Sequence, residues 1–108
     1  MSHIELAVEV GHDFERILDH LAQYQVAQNQ VAQNQVESPA LRIREIIEAI
    51  NVLEHNPMIG RPTNSGKREL VIGRRSHGYV ALYRYIVEID TVFVLAVRSQ
   101  KEAGEEGL

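Results

Sequence analysis

The side chains best suited to chemistry gather in one stretch. Between residues 61 and 85 the chain carries six basic residues, Arg61, Lys67, Arg68, Arg74, Arg75 and Arg84, against one acid, Glu69, with Tyr79, Tyr83 and Tyr85 interleaved. Arg98 and Lys101 follow further on. Guanidinium groups present a planar fork of donors that matches phosphate and carboxylate oxygens, so the pattern points to binding of a polyanion or an acidic macromolecule. The flanks are acidic: residues 1–60 hold three basic and nine acidic side chains, residues 86–108 two and five, and the formal net charge is −4. Screening confines a charge's field to about 10 Å, so a basic island works locally inside an acidic molecule. The same cations also suit a plainer purpose, keeping a sheet edge soluble.

Other chemistries find less support. His3, His12, His20, His55 and His77 show neither i, i+4 pairing nor HExxH spacing, and there is no cysteine, so no metal site, disulfide or thiolate nucleophile is expected. Ser65, Ser76 and Ser99 lie outside any GxSxG context. Gly60, Gly66, Gly73 and Gly78 read as turn residues rather than a phosphate-cradling loop. No cofactor is implied.

The elements that must position the basic island can be read from periodicity. Ile4, Leu6, Val8 and Val10 alternate with Glu5, Ala7 and Glu9, which predicts a first strand ending at Gly11. From Asp13 as N-cap, Phe14, Ile17, Leu18 and Leu21 recur at helical spacing. A pentapeptide, QVAQN, then occurs twice in residues 25–36; its period of five fits neither helix nor strand, and it reads as a solvated extension at the tip of a helical hairpin. Ser38-Pro39 starts a second helix with the stripe Ile43, Ile46, Ile47, Ile50 and Leu53, and Asn56-Pro57 stops it. Leu70–Ile72, Tyr79–Val87 and Thr91–Val97 are rich in Val, Ile, Tyr and Phe and read as an antiparallel meander.

The order is therefore β-α-α-β-β-β, an α+β fold in which a helical hairpin packs on one face of a four-stranded, mainly antiparallel sheet. Strand alternation sets Tyr79, Tyr83 and Tyr85 on one face and Arg84, with Val80, Leu82 and Ile86, on the other. Arg84 is then either a polar exception in the core, needing a carboxylate, or the centre of an uncovered groove. Tyrosines on a sheet can stack bases, although they are also good strand formers. The 108 residues and 44% hydrophobic content suit one domain with one core. No apolar run approaches the roughly 18 residues of a membrane span and no export signal stands out, so a soluble, cytoplasmic protein is expected. The tail 103–108 reads as frayed.

At NPMIGRP (56–62), RELVIG (68–73) and GYVALYRYIVEIDTVFVLAVRSQKE (78–102) the sequence resembles the RelE/ParE toxin superfamily, also known as plasmid stabilisation proteins. The likeness spans residues 14–102 apart from the QVAQN repeat, and its fold matches the order of elements above. It implies a growth-arresting toxin of a type II toxin–antitoxin pair, neutralised by a cognate antitoxin whose C-terminal segment wraps it, with a heterotetramer as the assembly to look for. RelE-like members cleave mRNA on the ribosome; ParE-like members poison DNA gyrase. The RelE-like alternative would use Arg61, Arg68, Arg84 and Arg98 on the scissile phosphate and needs an acid and a base, for which the C-terminal edge offers only His77, Lys101 and Glu102. Many members continue after the last strand into Arg-x-His or a terminal tyrosine, whereas this chain has Arg98, Ser99, Gln100, Lys101 and Glu102. The resemblance thus favours the ParE-like, non-enzymatic branch, with Arg61, Lys67, Arg68, Arg74, Arg75, Arg84, Arg98 and Lys101 as target-binding residues. A third reading is a module that binds antitoxin without toxic activity.

Overall fold

The computed structural model describes residues 1–28, 39–73 and 78–100. Strand β1 (His3–Leu6) leads into α1 (Val8–Gln28), followed by α2 (Pro39–Asn51), β2 (Arg61–Pro62), β3 (Arg68–Ile72), β4 (Tyr79–Ile86) and β5 (Thr91–Ser99). The sheet order is β1-β5-β4-β3-β2, with β1 parallel to β5 and every other pair antiparallel. The expected class holds, with a fifth strand, the two-residue β2, added at one edge. No helix among the described residues is long and apolar enough to cross a membrane.

The first strand is shorter than its alternation predicts. Its last rung is the Ala7 N–H donating to the Val94 carbonyl, and the Val10 N–H already donates to Ala7. Val10, Phe14 and Ile17 also satisfy helical spacing, and burying Val10 in the core decides between the two periods. Two expectations fail as a result. Gly11 does not end a strand but lies inside α1, and Asp13 is not an N-cap but a buried residue on the second turn.

Helix α2 starts at Pro39 as proline at the first helical position dictates. It passes into a 3-10 turn over Val52–Glu54 that buries Leu53. Ser38, Glu37 and the greater part of the QVAQN repeat lie outside the described residues, as do the side chain of Leu21 and the tail. The core joins Val10 and Ile17 of α1, Ile46 and Ile50 of α2, and Leu53 to the sheet residues Ile72, Tyr79, Ala81, Tyr83, Val92, Val94 and Val97. One sheet face is thereby packed under helices, and among the described residues no element covers the other.

A bulge sets the register of the two central strands. Leu82 pairs with Ala96 but Tyr83 pairs with Val94, so β5 carries one extra residue, Leu95. Beyond Val94, β5 also outruns β1, which pairs only with Thr91–Val94. There the Val97 N–H donates to Asp13 Oδ2 at 2.9 Å, and Arg16 donates to Asp13 Oδ1 at 3.0 Å. The buried carboxylate thus supplies the acceptor that a longer β1 would have offered.

Candidate target-binding face

Register decides which members of the basic island can act together, because directly opposed residues share a sheet face. Arg84 pairs with Phe93, which pairs with Glu5; Arg61 pairs with Glu69, which pairs with Leu82; Arg98 pairs with Val80, which pairs with Val71. These residues form three rows across the uncovered face. Arg68 pairs with Tyr83 and belongs to the helix-covered face. Of the eight target-binding residues expected, Arg61, Arg84 and Arg98 are brought together and Arg68 is turned away. Lys67 is half-buried at the start of β3. Arg74, Arg75 and Lys101, and the candidate proton carriers His77 and Glu102, lie outside the described residues.

Each described arginine of the island has a distinct setting. Arg61 Nη2 meets Glu69 Oε1 at 3.1 Å, an exposed ion pair that partly neutralises its charge. Arg84 is exposed and its Nη2 donates to the Ser65 carbonyl at 2.7 Å, so it steadies the β2–β3 turn, and no carboxylate among the described residues pairs with it. That turn contains two successive residues of positive φ, Ser65 (70°) and Gly66 (75°). Of the two alternatives open for Arg84, the uncovered groove is the one realised.

Arg68 Nη1 donates to the carbonyls of Met58 (3.1 Å) and Gly60 (2.8 Å) and so clamps the NPMIG turn from beneath. The Gly60 N–H donates to the Tyr83 hydroxyl at 2.8 Å. A Cβ on Gly60 would lie 2.6 Å from Tyr83 Cε1 and 2.9 Å from the Glu69 carbonyl, so this approach admits only glycine. The turn then presents Met58 and Ile59 outward, 57% and 58% exposed, next to Arg61.

The three strand tyrosines share a face as expected, but it is the covered one. Burial pushes the Tyr83 phenol up from its ordinary value, only partly offset by the Gly60 N–H and the Arg68 charge. Fully buried, Tyr83 braces the turn by accepting the Gly60 N–H. Tyr85 donates to Asp90 Oδ1 at 2.6 Å, and that bond raises its pKa. Asp90, which also accepts the Ser2 hydroxyl at 2.6 Å, is held below its ordinary value by these two donors, Ser2 first. Among the described residues no three His, Cys, Asp or Glu side chains come together to hold a metal ion.

Sequence reasoning gave Phe93 no role, named Glu69 only as the lone acid of the basic island, and read Asp13 as an N-cap instead of a buried acceptor for the sheet. Phe93 and Glu69 gain their partners only through register, and the sole local signal for Asp13 was its polarity within the stripe Val10, Phe14, Ile17.

Two helices packed on one face of a five-stranded mixed sheet form the architecture of the RelE/ParE-type toxins. The model of the ParE toxin of type II toxin–antitoxin systems, parDE, matches residues 4–104, and the chain belongs to that family. Solved structures similar to it include the chromosomal ParDE toxin–antitoxin system from P. aeruginosa, at 20% identity and TM-score 0.65 over 92% of this chain and 96% of that one. The intact E. coli RelBE toxin–antitoxin complex aligns at 15% identity and TM-score 0.58 over 92% and 96%. The M. tuberculosis RelBE2 complex aligns at 18% identity and TM-score 0.50 over 91% and 96%. No curated protein matches the chain by sequence.

Proposed function

We propose that this ParE-like toxin acts without catalysis, in the cytoplasm, by binding DNA gyrase and holding it on cleaved DNA. The observation that carries this reading is the placement of the tyrosines. All three face the helices, so none stands beside Arg61, Arg84 and Arg98 to exchange a proton with a ribose hydroxyl. The contact surface assigned to gyrase is the NPMIG–Arg61 turn, with exposed Met58 and Ile59, together with Lys67, Arg84 and Arg98; Arg74, Arg75 and Lys101 are assigned to it from the sequence alone. Arg68 supports that turn from the covered side. Apolar anchors beside cations suit a protein partner.

A cognate antitoxin neutralises the toxin. Its apolar residues fit the groove of about 440 Å³ between β1 and α2, lined by Met1, Ile4, Leu6, Ile47, Ile50 and Glu54 among others. The proposed assembly is a heterotetramer, to be checked by light scattering of the co-expressed pair.

Induction of the gene alone, with supercoiling, transcript integrity and viability read together, tests the proposal. Purified toxin is expected to inhibit supercoiling while transcripts stay intact. Unaltered supercoiling at high toxin excess overturns it; cleaved transcripts assign the ribosome-dependent nuclease instead, and harmless expression a non-toxic antitoxin-binding module.

A further inference from the structure

One row of the uncovered face has opposite charges on its two flanks. Phe93 on β5 pairs with Glu5 on β1 at one side and with Arg84 on β4 at the other, so an acid and a cation stand on either side of one half-buried ring. The two charges do not pair with each other. Arg84 Nη2 is turned to the Ser65 carbonyl, and Glu5 Oε1 lies 2.6 Å from His3 Nε2. Each keeps capacity in reserve, since Glu5 Oε2 and the Nε and Nη1 of Arg84 have no hydrogen-bond partner among the described residues. Glu5 and the Phe93 ring also line a shallow cavity of about 400 Å³, whose other walls include Ile89 and Leu95. Apolar walls with a carboxylate and an aromatic face fit a cation carried on an apolar stem. Arg84 of the same copy does not line that cavity.

We propose that this face binds a second copy of the chain, sheet against sheet, about a twofold axis running along β5 through Phe93. That axis exchanges the two flanks of the ring. It lays Glu5 of each copy against Arg84 of the other and brings Phe93 to Phe93, with each Arg84 stem entering the cavity beside the opposite Glu5. Charge complementarity selects this occupant. A twofold axis across the strands would oppose Glu5 to Glu5 and Arg84 to Arg84, and a polyanion would meet the Glu5 carboxylate at the cavity. Next to the row, Ala96 on β5 and Leu82 on β4 supply apolar surface, while β1 has already ended at Leu6. Leu82 of one copy therefore faces the gap beside Leu95 of the other. The two Arg98 side chains come to the same end of the pair, where the roughly 30° between strands of packed sheets carries them apart. Such a dimer covers Arg84 and Phe93, so concentrated toxin occludes the face assigned to its target. Association is measured with no target present, so the inference stands or falls separately from the gyrase reading.

Sedimentation equilibrium of the purified full chain, free of antitoxin, tests the proposal at concentrations from about 1 µM to 1 mM. A monomer–dimer equilibrium that weakens as salt rises is expected. Glu5→Arg puts cations on both flanks of Phe93 and Arg84→Glu puts acids on both, so each should raise the dimer dissociation constant about tenfold or more. Mixed in equal amounts, the two variants should associate about as tightly as the unaltered chain, because both cross-contacts become complementary again. Arg44→Gln, on exposed α2 surface, should leave association within about twofold. The chain has no cysteine, so Phe93→Cys carries the only thiol, and a short bifunctional maleimide should join it to its copy. Circular dichroism and melting show whether each variant is folded; if a charge variant is not, the salt dependence and the thiol cross-link decide. A monomer throughout the range, a dimer that neither charge variant weakens, a mixture of folded variants that stays monomeric, or no cross-link through residue 93 would each overturn the proposal.

Discussion

The carboxylate of Asp13, on the second turn of α1, accepts the backbone N–H of Val97 at 2.9 Å, 84 residues along the chain. It joins the helix layer to the sheet just past the Leu95 bulge, where β1 has ended. Asp13→Ala leaves that buried N–H without an acceptor and should destabilise the protein by about 1–3 kcal/mol. Urea denaturation with an unchanged m-value checks it; a loss under a few tenths of a kcal/mol would mean that water replaces the carboxylate.

Gly60 and Tyr83 form a second such joint. Tyr83→Phe removes the acceptor of the Gly60 N–H and should cost about 1–3 kcal/mol. Gly60→Ala drives a methyl against the Tyr83 ring and the Glu69 carbonyl and should also cost about 1–3 kcal/mol, through overpacking. Combining the two should not rescue stability, because the ring carbon Cε1 remains. Full rescue in the double variant would show that the hydroxyl alone makes the contact.

Gly11 offers the opposite sign. It sits within α1 and a Cβ there would meet nothing within 4 Å. Gly11→Ala should therefore stabilise the protein by about 0.5–1 kcal/mol, through helix propensity alone. Thermal melting measures the gain, and a lowered midpoint would contradict the helical assignment.

The Asp90 cluster predicts an acid dependence. Its folded-state pKa lies below the ordinary carboxylate value, because the Ser2 and Tyr85 hydroxyls donate to the charged form. In the window between the two values the unfolded chain binds more protons than the folded one, so stability rises with pH there. The contribution is complete above the ordinary carboxylate range and is lost as pH falls through the lowered value. Asp90→Asn should flatten this acid limb of a stability–pH profile, and Ser2→Ala should flatten it in part; unchanged slopes would remove the cluster from the account.

Charge neutralisation on the uncovered face can be tested through Glu69. Glu69→Gln releases Arg61 from an exposed ion pair, so stability should change by less than about 1 kcal/mol. Inhibition of supercoiling should hold or strengthen, whereas Arg61→Gln should weaken it. Equal losses from both variants would indicate that the pair acts as one unit.

Much of this architecture is legible in the sequence, for identifiable reasons. Pro39 fixes a helix start by local geometry, and the Val, Ile, Tyr and Phe runs mark β3, β4 and β5 because little else accommodates them. The segment from Val8 to Asp13 misleads because its apolar residues fit both periods, and only packing of Val10 against the sheet decides between them. The family resemblance rests on motif order and the family match bears it out. The site was legible as a list of cations but not as a surface. Strand parity could place Arg84 opposite the tyrosines' face, but the neighbours of Arg61, Arg84 and Arg98 depend on a register set by one extra residue in β5. Composition carries no trace of that register.

The pairing of β1 with β5 has a consequence in time. Residues 3–6 find their neighbours at residues 91–94, so β1 has no strand to pair with until β5 has been made. Contacts this distant in sequence form late and slowly, since a long loop must close before they repay its entropy. A partly synthesised chain can form α1 and α2 but has no sheet on which to lay them. Arg98 and Phe93 belong to that same late strand. The sheet face that carries Arg84 and Arg98 therefore comes into existence only once β5 has been made, and a chain interrupted before that strand has no such face to present.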